Sequence, residues 1–410
     1  MAVNLLRNSR VFYTNITKAQ AVGGAAITTS NTWELLPMSD FTFSQGTEQQ
    51  TITLNEAGAT PSRGQRSFNT AINPVDWSFG TYIRPVRLND GTDPDITCAP
   101  ELLLWNALAS STSIPEGDYV IGNGGFSKHV ATATANGVTT GTAYQLTPDA
   151  SAGTAVVDFA KSNTHSFVEF GLIFEVDGTT YYLDKCSVNQ ADINFGIDQI
   201  ASVAWSGQAR GLVPLSAANI GQLNTVADYS AGWEEALQAH FLTNKLASVS
   251  LVGTDINGQP GATTYNLALT GGQLTINNNI NYLTPELLGV VNAPIGYYSG
   301  TRAISGNMTA YLKTDNLSTG KLLTDLAGHS TNDSDNKFAL TINIGGAKGL
   351  TSTNPHFILT MPMAVLQIPT IDVQDVISTT INFTAQASTG ANYDIGATNE
   401  LTITYATSTT

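Results

Sequence analysis

An internal repeat constrains the fold of this chain more than any other feature. Six short segments of the first half recur in the same order, with similar spacings, in the second half. Repetition of a supersecondary unit is the sequence signature of a duplicated architecture, so the chain is expected to fold as two similar units. The matched segments are 6–9 with 242–245, 33–35 with 265–267, 41–43 with 274–276, 79–84 with 308–313, 104–109 with 322–327, and 193–209 with 371–387.

The repeat predicts two tandem domains with a connection between them. The first domain is expected over residues 1–212, a linker with a helix over 213–245, and the second domain over 246–410. The linker helix is predicted at 228–246, because bulky apolar residues recur there every four positions. Those residues are Tyr229, Trp233, Leu237 and Phe241.

Each domain contains a strand, a long arm and a return strand. In the first domain the strand is 41–43, the arm is 44–73 and the return strand is 75–83; the second arm is 277–302 and has far fewer charges. An arm of about thirty residues greatly exceeds an ordinary hairpin loop, which favours a functional role. The return strand alternates with period two, as a half-buried strand does. Its apolar face is Val75, Trp77, Phe79, Thr81 and Ile83, and its other face is Asp76, Ser78, Gly80 and Tyr82.

The composition favours a mainly β protein. Only 12% of the residues are charged while 42% are hydrophobic, and helix surfaces usually need abundant Lys, Glu and Arg. One clear helix is expected in each domain, at 100–108 and 322–327. Helix and sheet must bury their apolar faces together, which predicts two β-sandwich or half-barrel domains, each with one flanking α-helix. The strand edges lack Lys or Pro protection, so pairing with neighbouring copies in a closed ring is the simplest way to cover them.

The charge balance and the cysteines exclude several classes of protein. A net charge of −15 disfavours a protein that grips the nucleic-acid backbone. No apolar run of 18 residues predicts a membrane span, and the N-terminal residues lack the apolar stretch of a signal peptide. The two cysteines, Cys98 and Cys186, are expected to be buried, reduced thiols in a protein made in the cytoplasm.

No pattern points to catalysis, a metal or a cofactor. Five histidines are scattered without ligand spacing. The Asp-rich segments 93–95 and 332–336 are interpreted as polar turns, since the second lacks the Gly and closing Glu of a calcium loop. The glycines at 122–125 are not followed by the Lys-Ser/Thr of a phosphate loop. We therefore expect a protein that is not an enzyme.

Five segments in the first 110 residues form a recognisable set. They are 5–12 (LLRNSRVF), 41–47 (FTFSQGT), 55–58 (NEAG), 63–69 (RGQRSFN) and 74–79 (PVDWSF). Together they resemble the tail tube proteins of long-tailed bacteriophages, and the likeness recurs weakly in the second half. That resemblance implies strands that join a multi-subunit inner β-barrel, a long loop that reaches the adjacent ring, and six domain copies to a ring.

The resemblance assigns provisional roles to residues. The first arm becomes the inter-ring element, and the strands beside it become tube wall. The polar side of the return strand is the first candidate for the lumen, with ordinary solvated residues as the alternative. The arm charges could likewise be solvated rather than paired with the next ring. The candidates are Glu48, Glu56, Arg63 and Arg66 for the inter-ring contact; Phe41, Phe43, Val75, Trp77, Phe79 and Ile83 for the wall; and Asp76 and Ser78 for the lumen.

The resemblance also implies the partners and the location. The partner is the chain itself, as a trimeric pseudo-hexameric ring, or as a hexamer if the second domain decorates the outside. Sheath, tail terminator and baseplate proteins are further candidates, and DNA passes through the virion tail without specific binding. Two alternative functions remain: another β-rich phage structural protein (tail tip, fibre or capsid decoration), or a glycan-binding β-sandwich.

Overall fold

A computed structural model gives the architecture of the chain. The residues that it describes are 9–22, 27, 32–35, 37–38, 41–52, 66–88, 96–99, 101–109, 119–122, 125–128, 148–149, 154–160, 167–215, 223, 241–254, 262–286, 288, 291–329, 337–345, 355–372, 377–387 and 399–406.

Most described residues lie in β-strands, which confirms the prediction of a mainly β fold. In the first half the elements are β1 (Ser9–Thr14), α1 (Lys18–Val22), β2 (Thr32–Leu35), β3 (Thr42–Ile52), β4 (Arg66–Tyr82), β5 (Val86–Leu88), β6 (Ile96–Cys98), α2 (Leu102–Ala109), β7 (Tyr119–Gly122), β8 (Gly125–Lys128), β9 (Pro148–Asp149), β10 (Thr154–Ala160), β11 (Phe170–Val176), β12 (Thr179–Asn194), β13 (Ser202–Ala209) and β14 (Gly211–Pro214).

The second half follows a similar order after a 3₁₀ turn at Asn244–Leu246. Its elements are β15 (Ser248–Thr254), β16 (Ala262–Tyr265), β17 (Leu269–Asn277), β18 (Ile280–Leu283), β19 (Gly296–Ser299), β20 (Ala303–Tyr311), α3 (Thr319–His329), β21 (Lys337–Gly345), β22 (His356–Leu366), β23 (Thr370–Asp372), β24 (Ser378–Ala385) and β25 (Asn399–Ala406).

The two halves have the same strand pairing. In the first half β2 pairs with β1, β1 with β11, β11 with β12, β12 with β13 and β14, β13 with β4, and β4 with β3. In the second half β16, β15, β21, β22, β24, β20 and β17 pair in that same succession, with β25 in the place of β14. The repeat in the sequence therefore has a counterpart in the topology.

One continuous sheet of eight strands crosses both halves. Its order is β3, β4, β13, β12, β17, β20, β24 and β23, and every neighbouring pair is antiparallel. The halves join where β12 pairs with β17, from Gln190 opposite Asn277 to Asn194 opposite Gln273. We call this pairing the closed junction and the whole sheet the eight-strand sheet.

The two faces of the eight-strand sheet differ sharply. The buried face contains Trp77, Phe79 and Trp205 from the first half and Ile304 and Phe383 from the second, all nearly inaccessible. Directly opposite residues of antiparallel strands share a face, and the register therefore defines a second face of small polar residues. One row of it runs Thr42, Ser78, Ser206, Gln190, Asn277 and Ala303.

Helices α2 and α3 lie on the buried face of the eight-strand sheet, and they differ in how far their residues are exposed. All eight residues of α2 are buried, as expected for an apolar helix between two layers. Helix α3 buries Leu322 and Leu326, but Leu323 is half-buried and Thr324 and Ala327 are exposed. Proline at position 100 lies just before α2, as predicted.

The described parts of the first arm are paired strands, where the sequence favoured a loop. β3 continues to Ile52 and β4 begins at Arg66, so residues 44–52 and 66–73 form a two-stranded ribbon that extends the strands at 41–43 and 75–83. Residues 53–65 lie outside the described part. The expectation of a loop failed because the polar, exposed ribbon lacks the apolar alternation that signals a strand. The alternation predicted for the return strand is confirmed: Val75, Trp77 and Phe79 are buried while Asp76 is exposed.

Two further predictions need correction. The linker helix does not reach residue 246, because Phe241 and Leu242 are extended and a 3₁₀ turn follows; residues 228–240 lie outside the described part. The repeat alignment also shifts: Phe79 lies opposite Trp205, and Gly306 rather than Met308 lies opposite Phe383. A Cβ at Gly306 would come within 2.5 Å of the Phe383 ring, so glycine stands where the first half has Phe79.

Candidate assembly surfaces

The polar face of the eight-strand sheet carries a hydrogen-bonded network at the closed junction. Asp192 accepts hydrogen bonds from Gln190 Nε2 at 2.7 Å and from Thr275 Oγ1 at 2.5 Å. Asn277 Nδ2 donates to Gln190 Oε1 at 3.2 Å. The side chains of the two halves are thus joined across the seam as well as by the backbone ladder.

The sequence-predicted lumen candidates lie on this same face. Asp76 is exposed and accepts a hydrogen bond from Gln208 Nε2 at 3.0 Å. Ser78 Oγ is 2.9 Å from Thr42 Oγ1 on the neighbouring strand. Among the strand residues of this face whose side chains are described, Asp76 and Asp192 carry the only charges. The face is therefore small, polar and negative.

Sequence reasoning missed Asp192. The signal was present, because Gln190, Asp192 and Asn194 alternate with the buried Ala191 and Ile193. That alternation marks a half-buried strand. The sequence alone does not reveal that this strand lies in the same sheet as β4, since register across the repeat decides which polar residues share a face.

The first arm brings together only part of its predicted charge set. Glu48 and Arg66 are both exposed, but Glu48 lies opposite Ala71 and Arg66 lies opposite Ile52. The other two predicted contact residues, Glu56 and Arg63, lie outside the described residues. Phe68, which the sequence prediction omitted, is exposed beside Ile52 on one face of the ribbon.

The eight-strand sheet ends in two open edges. β3 pairs with β4 alone and β23 with β24 alone among the described strands. The wall candidates Phe41 and Phe43 lie at the β3 edge, half-buried, with ring centroids 5.5 and 4.9 Å from that of Phe174. Unpaired backbone groups along such an edge readily accept another strand.

Helix α2 is bonded to the second half of the chain. Trp105 Nε1 donates to Tyr405 Oη at 2.8 Å, and Tyr405 Oη donates to Glu101 Oε1 at 2.6 Å. Asn278 Nδ2 donates to the Leu108 carbonyl oxygen at the end of the helix. Burial raises the pKa of Glu101 to about 7, although the Tyr405 hydrogen bond and Arg84 oppose the shift. These contacts around α2 are structural, because they join the helix to residues of the second half.

The second arm lies against the first half. Its inner face carries Tyr282 and Tyr297, whose ring centroids are 5.9 Å apart. Tyr282 Oη donates to the Lys185 carbonyl oxygen, and Tyr297 Oη donates to the Phe167 carbonyl oxygen at 3.0 Å. The arm then returns to the first arm, where Ile72 N donates to the Asn292 carbonyl oxygen at 2.8 Å. The hairpin is therefore fixed at several points.

No helix in the described ranges is both long enough and apolar enough to cross a membrane. The thiol of Cys186 is buried and free, as expected, and burial raises its pKa. Trp77, Trp105 and Trp205 are core residues.

Open sheet edges, exposed arms and one continuous polar face define a β-rich structural protein that assembles with copies of itself. A family model described as phage tail tube protein matches residues 10–385. The chain is 31% identical over 386 residues to the tail tube protein pb6 of Escherichia phage T5, an alignment that covers 94% of this chain and 73% of that protein.

The chain therefore belongs to the phage tail tube protein family. It is a structural subunit of the tail tube, self-assembles into that tube and is located in the tail of the virion. The resemblance noted in the sequence is confirmed, and it extends over nearly the whole chain rather than mainly over the first 110 residues. The matches favour this function over a tail-tip, fibre, decoration or glycan-binding role.

Proposed function

We propose that three copies of this chain close a ring by continuing the eight-strand sheet from one copy to the next, and that stacked rings form a conduit for DNA. The observation that carries this proposal is the closed junction. At that junction β12 of the first half pairs with β17 of the second half. The counterparts of these two strands, β23 and β3, each have a partner on one side alone among the described strands.

The closed junction supplies a register for the contact between chains. In the closed junction Asp192 lies opposite Ala204 on one side and Thr275 on the other. The corresponding position in the second half is Gln367, because Gln367 N donates to the carbonyl oxygen of Asn382, the counterpart of Ala204. By the same strand-to-strand correspondence, Thr42 of a neighbouring chain takes the position of Thr275. The proposed seam therefore lays Gln367 beside Thr42 of the next copy.

Exposed apolar residues at the open edge support this seam. The register makes Ile368 the counterpart of Ile193 and, after the extra residue Pro369, Ile371 the counterpart of Phe195. Ile193 and Phe195 are at most 3% exposed, whereas Ile368 and Ile371 are 54% and 43% exposed. Because about half of each side chain is already covered, burying the rest stabilises a contact by about 1 kcal/mol each.

Three chains are favoured over six by the placement of the second half. β17, β20 and β24 lie in the same sheet as β3, β4 and β13, so each chain contributes two sectors to a ring rather than one sector and an outer decoration. We propose domains at 1–212 and 246–410, with 213–245 between them. Six such domains then complete a pseudo-sixfold ring with three chains.

The polar face is the proposed lumen. Asp76, Ser78 and the newly identified Asp192 then line the bore, with no cation beside them on the described strands of that face. Fixed negative charge repels phosphate, so DNA slides without binding specifically. The activity is mechanical and needs neither catalysis nor a cofactor.

The first arm is the proposed contact with the next ring. Glu48 and Arg66 are exposed on it together with Ile52 and Phe68, and Glu56 and Arg63 complete the charge set in sequence. Individual exposed ion pairs contribute only about 0–1 kcal/mol, so they set register while the apolar pair adds strength. Sheath, tail terminator and baseplate proteins are further proposed partners at the outer wall and tube ends.

Mass measurement of purified rings by native mass spectrometry tests the proposal. We expect a mass of three chains, with a sixfold appearance in negative-stain images. A ring of six chains would overturn the shared-sheet arrangement. Deleting 48–66 should leave folded subunits and rings that no longer stack; tubes of normal length from that variant would exclude the first arm as the inter-ring element.

A further inference from the structure

Exposed apolar side chains are concentrated at the two opposite ends of the eight-strand sheet. The strands run antiparallel, so one end carries both arms and the other carries the turns after β12, β20 and before β24. The two ends are separated by strands such as β17, nine residues long, or about 30 Å at 3.3 Å per residue. This distribution is unlike that of scattered surface residues, which need no explanation.

At the arm end, the second arm presents a group of exposed apolar side chains. We define the second-arm patch as Leu283, Leu288, Val291, Ile295 and Tyr298, each more than half exposed. The inner-face tyrosines hold the hairpin against Lys185 and Phe167. The patch is thus presented on a fixed support, which lowers the entropy cost of binding.

At the opposite end, exposed apolar residues lie along the turns between β4 and β24. We define the turn-end patch as Ile197, Ile200, Phe241, Tyr311 and Ile377. Backbone bonds fix three of them: Ile197 N donates to the Thr270 carbonyl oxygen, Tyr311 N to that of Ala268, and Leu312 N to that of Ile377. Phe241 lies farther along this end, against the ring of Tyr82. Both halves of the chain therefore contribute exposed apolar residues to this end of the sheet.

We propose that the second-arm patch of one copy docks on the turn-end patch of a second copy in the adjacent ring. The inference rests on the stacked rings of the proposed function and adds a contact separate from the first arm. A second copy is the occupant because a tube needs a head-to-tail contact, and such a contact joins opposite ends of identical subunits. Two apolar surfaces at opposite ends of the same strands satisfy that requirement.

The charges at the rims of the two patches can orient the contact. Glu286 is the one charged side chain described within the second arm between β18 and β19, and it is exposed. The turn end carries both signs: Lys245 and Lys313 are exposed there, and so are Asp198 and Asp315. Charges at the rim of an apolar contact favour correct orientation more than affinity, so the apolar residues supply the main part of this contact.

A triple variant, Leu283→Ser with Ile295→Ser and Tyr298→Ser, tests the proposal in the full chain. We expect rings of wild-type mass and the loss of tubes longer than one ring in negative-stain images. Val22→Ser is the matched control, since Val22 is an exposed apolar residue outside both patches; it should elongate as wild type does. Normal tubes from the triple variant would overturn the inference while leaving the rings of the proposed function intact.

Crosslinking gives a second readout that does not depend on the triple variant folding. A bismaleimide is added to assembled Ile295→Cys, Ile200→Cys protein, with each single variant as control. Head-to-tail docking gives a covalent ladder extending beyond the number of chains in one ring. A ladder that stops at the ring number, or a double variant that matches the single variants, would contradict the docking. Absence of rings in wild-type protein would instead contradict the proposed function itself.

Discussion

The closed junction and the open edge of the second half present the same strand position in two states. At the closed junction β12 has partners on both sides, and Ile193 is fully buried. At the open edge β23 has a described partner on one side, and Ile368 is mostly exposed. The difference shows that the buried state is not a property of the strand sequence. It requires a neighbouring half.

The helices of the two halves differ in burial in the same way. α2 lies under the closed junction and is buried on every side, with Asn278 and Tyr405 of the second half bonded to it. α3, which matches α2 in the repeat, leaves Thr324 and Ala327 exposed. One helix is covered by the second half of its own chain, whereas the other is only partly covered among the described residues.

The largest effect is expected from a charge at the open edge. Ile368→Lys should abolish rings while leaving the subunit folded, because a charged side chain on an edge opposes strand pairing. Analytical ultracentrifugation gives the assembly state and circular dichroism gives the fold. Val22→Lys is the matched control, since Val22 is 55% exposed, much as Ile368 is, and lies on α1 outside the eight-strand sheet. Rings from the Ile368→Lys protein would remove the open edge from the interface.

The helix contacts predict a smaller effect on stability. Tyr405→Phe removes the hydroxyl that joins Trp105 to Glu101 and leaves buried polar groups without that partner, which costs about 1–3 kcal/mol. The comparable change at α3 is Tyr265→Phe, which breaks the 2.7 Å bond to Asp325. Its cost should be lower because Asp325 keeps its bond to Lys321. Urea unfolding of unassembled subunits measures both, and equal losses would contradict the distinction.

The buried carboxyl group of Glu34 is expected to make the stability of the first half depend on pH. Burial raises the pKa of Glu34 to about 8, with Glu175 adding to the shift and Arg10 opposing it. A carboxyl group whose pKa is higher in the folded state destabilises that state as pH rises from its unfolded value toward 8, by about 1.4 kcal/mol per unit at most. Thermal unfolding of subunits between pH 5 and pH 8.5 measures this slope.

Glu34→Gln isolates the contribution of that carboxyl group. Between pH 7 and pH 8, above the raised pKa of Glu101, the variant should lose most of the slope, and it should exceed wild type in stability at the alkaline end. The repeat matches Glu34 to Asn266, which is exposed in the second half, so Asn266→Asp serves as the control and should leave the slope unchanged. An undiminished slope in Glu34→Gln would assign the effect to other buried groups.

The smallest effect on stability is expected from a substitution on the polar face of the eight-strand sheet. The described charges of that face, Asp76 and Asp192, both come from the first half, and the register aligns Asp76 with Ala303 in the second. Asp76→Lys should change subunit stability by no more than about 0.5 kcal/mol. It should nevertheless make assembled tubes retain short DNA in a salt-dependent way.

Co-sedimentation of short DNA with tubes tests the assignment of the face. Val22→Lys places one lysine elsewhere on the surface, a charge change of +1 against +2 for Asp76→Lys, and should retain less DNA inside the tube per added charge, which nuclease protection distinguishes. Equal, nuclease-sensitive retention by the two variants would contradict a lumen at the Asp76 face.

The sequence by itself determined the duplication, the mainly β class, the alternation of the return strand and the family. Each of these depends on local periodicity or on motifs, which are written in consecutive residues. Val75, Trp77 and Phe79 were assigned to the buried face for this reason, and α2 was located from Pro100 and its run of leucines.

The tertiary structure alone decided which strands share a sheet. That β12 of one half pairs with β17 of the other depends on a register between residues about eighty positions apart, which no local pattern specifies. For the same reason the sequence missed Asp192 and misaligned Phe79 with Met308. The ribbon form of the first arm was also decided there, because backbone pairing from Thr42 to Ile52 forms a strand without needing an apolar face.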